Sequence, residues 1–167
     1  MEQVQKVEFV PFLLTKAVDI YAIRFGGSAD TELKKFMLLF KDSEDVYLKD
    51  DYDRIRAAIV KIAENGALES YFRLEGHQDD RVAAIPLLIK PRNHSRNGTL
   101  RLYCIRISDQ LLIVGGGGLK TTRTYEDDNY LSQQVATLQS IDAVLKELES
   151  DGKRLEDELP NIIIEVE

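Results

Sequence analysis

Residues 99–114, TLRLYCIRISDQLLIV, constrain the fold more than any other stretch of the chain. Two runs rich in aliphatic, β-branched and aromatic residues, 99–107 and 111–114, are separated only by Ser108-Asp109-Gln110. A connection that short joins antiparallel neighbours, because parallel strands need a crossover of about a dozen residues or more. A third run of the same kind, RVAAIPLLI at 81–89, comes before them, and Asn97-Gly98 supplies a turn signal between. The spacing predicts a three-stranded antiparallel meander. Pro86 has no N–H for a ladder, which predicts an edge strand or a bulge at that point.

The rest of the chain reads as one more strand and three helices. VDIYAIRF, residues 18–25, alternates as a strand does, and Gly26-Gly27 ends it. Leu33, Phe36, Met37 and Phe40 fall at i, i+3, i+4 and i+7, so a helix is expected over 29–41, capped by Ser28 or Asp30. A second helix is expected from residue 45 or 51 to 65, with Ile55, Ile59 and Ile62 as its buried stripe and Asn65-Gly66 as its stop. A third spans 127–149, where Leu131, Val135, Leu138, Ile141, Leu145 and Leu148 repeat at helical steps and Asp127-Asp128 suit its start. The order β, α, α, three β, α predicts an α+β fold. Its sheet is expected to be small and antiparallel, an N-terminal strand plus the meander, with helices on one face and the other face free for function. Residues 1–150 read as a single domain and 151–167 as a charged tail, whose Ile162–Ile164 run either adds a strand or stays disordered until bound.

The stretch IVGGGGLKTTRTY, residues 113–125, raises the question of a phosphate loop. Such a loop needs glycine directly before the lysine and a helix directly after it. Leu119 stands in that glycine position, and Thr-Thr-Arg-Thr-Tyr follows instead of an apolar helical pattern. The dinucleotide fingerprint fails as well, because no parallel βαβ unit is visible. The glycines are therefore expected to bend the chain at the end of the last meander strand. They would aim Lys120, Arg123 and Tyr125 across the open sheet face, where cations and a phenol hold phosphate or polarise a transition state.

Charge bears on partners. The 167-residue chain carries −7 overall, which disfavours a general nucleic-acid binder. Yet residues 81–125 hold eight basic residues against Asp109 alone, a local +7 that leaves −14 on the remainder. That asymmetry suits an anionic partner on one face, or simply a solvated basic surface. Arg101 and Tyr103 share one side of their strand, an arrangement suited to RNA phosphate and base stacking, or to an ordinary cross-strand pair. No apolar run approaches the length of a membrane helix. No basic leader precedes a long apolar stretch, so a cytoplasmic location is the expectation. The single Cys104 reads as a small core group. His77 and His94 lie in loop-like segments, and with Cys104 they give no metal-ligand spacing, so neither metal nor cofactor is expected.

LESYFRLEGHQDDRVAAIPLLI, then LRLYCIRISDQLLIVGGGGLKTTRTY, then a long helix, resembles the RelE/ParE-like toxins of bacterial toxin–antitoxin systems, nearest to the HigB-like, phage-related branch. The resemblance covers about residues 65–145. Arg101 matches that branch's strand arginine, and Lys120-Thr121 matches its Lys-Thr segment. GGGG replaces the histidine, glycine and apolar residues usual there, and the chain is longer and more acidic than typical members. The resemblance implies a RelE-like fold and a metal-independent mRNA endoribonuclease, or in some members a gyrase inhibitor. It also implies silencing by a small helix-turn-helix antitoxin. On that reading Lys120 and Arg123 stabilise phosphate, assisted by Arg101 or Arg73. Tyr125 or Tyr103 stacks a base or relays a proton, and Arg106 adds to the RNA-binding set. The alternative is a non-catalytic module of the same fold that docks an antitoxin-like or regulatory protein. A third reading is a homo-oligomer, such as a homodimer, that uses the Ile162–Ile164 tail as an added strand.

Overall fold

The computed structural model describes residues 4–74, 80–85, 99–121 and 129–167. The strands are β1 (Gln5–Leu14), β2 (Asp19–Phe25), β3 (Arg73–Leu74), β4 (Val82–Ala84), β5 (Thr99–Ser108), β6 (Leu111–Lys120) and β7 (Ile163–Val166). The helices are α1 (Glu32–Phe40), α2 (Val46–Asn65), α3 (Asn129–Ser150) and α4 (Leu155–Glu158). The fold is α+β. Its meander is present: β4, β5 and β6 pair antiparallel in sequence order.

The sheet is larger than the sequence suggested, and it is mixed. Seven strands lie in the order β3-β4-β5-β6-β2-β1-β7. β2 joins the meander in parallel, pairing from Asp19–Leu111 to Ala22–Val114. β1, which the sequence reading passed over, forms a hairpin with β2. β7, from the tail, pairs antiparallel with β1. β4 lies inside the sheet between β3 and β5, not at an edge; Pro86 itself falls outside the described residues.

Helices cover both faces, so the expected free face does not exist. On one side Ile20, Ala22, Leu100, Leu102 and Cys104 pack under Leu33 and Phe36 of α1 and Ile55, Ile59 and Ile62 of α2. On the other, Tyr21, Ile23, Tyr103, Ile105 and Ile113 pack under Leu131, Val135, Leu138, Ile141 and Leu145 of α3, with Leu155 and Leu159 beyond. Alternate residues of the central strands therefore serve two cores, which is why their sequences read apolar on both sides.

The helix ends follow local chemistry. Thr31, not Ser28 or Asp30, caps α1, its hydroxyl accepting from the Lys34 N–H at 3.1 Å. Asp45 caps α2, accepting from the N–H groups of Tyr47 and Leu48. Gly66 ends α2 at φ 100°, a left-handed conformation that other residues rarely adopt. Its N–H donates to the Ile62 carbonyl at 2.7 Å.

The glycines do not bend the chain at a strand end. β6 runs through all four, and Gly115–Gly118 are buried. Register shows how they are used. Leu102 pairs with Gly117 and Cys104 with Val114, so Gly115 and Gly116 together oppose Tyr103 in a bulge.

Candidate functional site

Of the residues expected to form the site, the structure brings two together. Arg101 pairs with Gly118 and Thr99 with Lys120. Arg101 and Lys120 thus occupy diagonal positions on the same face of two adjacent strands, at the end of the sheet near the start of α3. Arg123 and Tyr125 lie outside the described residues, as do His77, His94 and Asp127-Asp128. Arg73 pairs with Ala84 on β3, at the far edge of the sheet.

Two of the expected RNA contacts are otherwise engaged. Tyr103 is 0% exposed within the core under α3, so its ring is not available to stack on a base. Arg106 serves the β5–β6 turn: its Nε donates to the Ala67 carbonyl at 2.7 Å and its guanidinium pairs with Asp109. The Ala67 N–H donates to the Asp109 carbonyl at 2.7 Å, so Arg106 and the turn together clasp the end of α2. Burial pushes the Cys104 thiol well above its ordinary range, with Arg106 opposing in part. It is a core group and not a nucleophile.

Two buried carboxylates that the sequence reading did not single out hold the architecture. Asp51 of α2 accepts from the Leu100 N–H at 3.1 Å and ties the helix to the start of β5. Asp142 of α3 accepts from Arg81 twice, from its backbone N–H at 2.9 Å and its Nε at 2.7 Å. Arg81 also reaches Glu149 at 2.7 Å. Burial works against the Arg81 charge, but the bonds to Glu149 and Asp142 outweigh it and its pKa is raised. A signal for both acids was present in the sequence: each sits on the apolar stripe of its helix, where a lone charge needs a buried partner. Among the described residues no cluster of histidine, cysteine and carboxylate could hold a metal.

A markedly apolar concavity lies elsewhere. β1 and β2 slip register between Pro11 and Leu13, leaving Phe12 as an extra residue on β1. The bulge turns Phe12 into a groove of about 270 Å³ between β1, α1 and α2. Phe36 and Met37 line it from α1, and Tyr52, Ile59 and Val60 from α2, with Arg56 beside them. Phe12 is 37% exposed and Val60 47%. Among the described residues no helix is long and apolar enough to cross a membrane. No protein-family model, no curated protein and no solved structure matches the chain.

Proposed function

We propose that the chain is a toxin-like, non-catalytic binding module that docks a regulatory protein through the groove between β1, α1 and α2. The carrying observation is Phe12. A phenylalanine held half-exposed by a strand bulge, beside Met37 and an exposed Val60, forms an apolar surface left open among the described residues. Its apolar lining suits side chains presented at three- and four-residue steps by one amphipathic helix. Arg56 in the lining adds a cation for a carboxylate flanking that face. Its occupant on this reading is a helix of a small antitoxin-like helix-turn-helix protein, the partner class that the resemblance of residues 65–145 implies. The test is co-expression with a helix-turn-helix protein encoded beside this chain, followed by size-exclusion chromatography. A complex of fixed stoichiometry is expected. Val60→Asp, a change at an exposed position, should weaken it at least about tenfold while the variant keeps its circular dichroism spectrum. No complex, or one indifferent to Val60→Asp, would overturn the reading.

One observation favours RNA cleavage as a second reading. Arg101 and Lys120, at diagonal positions across β5 and β6, put two cationic residues on one face, which suits a phosphoryl group. On this reading expression arrests growth, and Arg101→Ala with Lys120→Ala relieves the arrest. The binding-module reading predicts no arrest and intact RNA.

A further inference from the structure

β2 and β6 run parallel, and their ladder ends at the Ala22–Val114 pair. Both strands continue, β2 to Phe25 and β6 to Lys120, with no further pairing between them among the described residues. The helices that follow them go to opposite faces, α1 to the side of α2 and α3 to the other. Where adjacent parallel strands send their next helices to opposite faces, a crevice opens at the strands' C-terminal ends, and α/β sheets place ligands there.

This crevice has a volume of about 330 Å³. Ile23 and Phe25 of β2, Glu32 and Lys35 of α1, and Gln134 and Thr137 of α3 line it. The glycines let the helices close on it. A Cβ on Gly116 would lie 2.6 Å from the Gln134 Oε1, which would have to turn away, and 3.5 Å from the Glu32 Cβ, an ordinary contact, so side chains of both helices stand against the β6 backbone at residue 116. Two opposite charges stand together at the site: Lys35 Nζ lies 3.5 Å from Glu32 Oε1. Glu32 is the better shielded, with 16% of its side chain exposed against 45% for Lys35. The Gln134 amide and Thr137 hydroxyl add neutral donors and acceptors, and Ile23 and Phe25 add an apolar wall.

A carboxylate and an ammonium side by side match a ligand that carries the same two charges and little bulk. We propose that this crevice binds a free α-amino acid, with its ammonium on Glu32 and its carboxylate on Lys35. The Gln134 and Thr137 groups then select among side chains. The inference is independent of the partner groove, which uses other residues of α1 and would stand if this site failed.

Thermal unfolding of the full chain tests it, with each standard amino acid present at about 10 mM. At least one amino acid should raise the midpoint by about 2 °C or more. Its N-acetyl amide, which lacks both charges, should not. Glu32→Gln should abolish the shift. Lys35→Gln alters an exposed helix position, so it keeps the fold should Glu32→Gln disturb it, and it should also lose the shift. The proposal is overturned if no amino acid raises the midpoint, if the capped derivative acts equally, or if the shift survives Lys35→Gln.

Discussion

At Gly117 a single missing Cβ permits the strand. A Cβ there would lie 1.9 Å from the carbonyl oxygen of Arg101 and 2.9 Å from the Leu102 Cα, both backbone atoms of the paired strand. Relief would require β5 and β6 to separate. Gly117→Ala is therefore expected to destabilise the fold by about 3 kcal/mol or more, measured by chemical denaturation. Gly118→Ala makes the contrast: its Cβ would meet the Tyr130 ring at 3.1 Å, and Tyr130 is half-exposed and able to turn. That change should cost about 1 kcal/mol. Equal costs would show that the ladder at residue 117 is looser than its geometry. Four consecutive glycines are poor strand formers by propensity. They are tolerated here because a bulge, two helices and a neighbouring strand all press on the same short stretch.

The long helix α3 is held by more than its apolar stripe. Asp142, with 1% of its side chain exposed, accepts from Arg81 beside β4, and Gln139 donates to Asp80 at 2.9 Å. Asp142→Ala strands an N–H and a guanidinium at a buried junction, so a loss of about 3 kcal/mol is expected. Glu149→Ala removes only the outer arm and should cost about 1 kcal/mol or less. Denaturation midpoints for the two variants decide this, and equal losses would mean that the network is not anchored on the buried carboxylate. Helices α1, α2 and α3 were legible in the sequence because each carries an apolar stripe at helical spacing, and the meander was legible because its turns are short; α4, a single turn of mostly acidic residues, was not. β1 was not, because Pro11 and the bulge at Phe12 break its alternation after Val7 and Phe9. The parallel join of β2 to β6 links residues about ninety positions apart, and no local pattern encodes it. The site divides in the same way. The nearness of Arg101 and Lys120 follows from hairpin register, whereas the groove depends on a bulge and the crevice on where a ladder stops.

Across the whole molecule, the last thirteen residues add four side chains to the core. Leu155, Leu159, Ile164 and Val166 are each at most 5% exposed, and β7 covers the outer edge of β1. Ending the chain at Arg154 should remove this cover and expose a strand edge beside Val7 and Phe9. The truncated protein is expected to lose its cooperative melt and to scatter light on concentration; an unchanged midpoint would show that the tail adds nothing to the fold. The same arrangement sets a timetable. Gln5–Glu8 precede their partners, Ile163–Val166, by more than 150 residues, with every other described element made between them. Contacts so distant along the chain form late. Until β7 is made β1 therefore waits with one side unpaired, and over that interval a growing chain of this kind is open to chaperone capture or to mispairing with its neighbours.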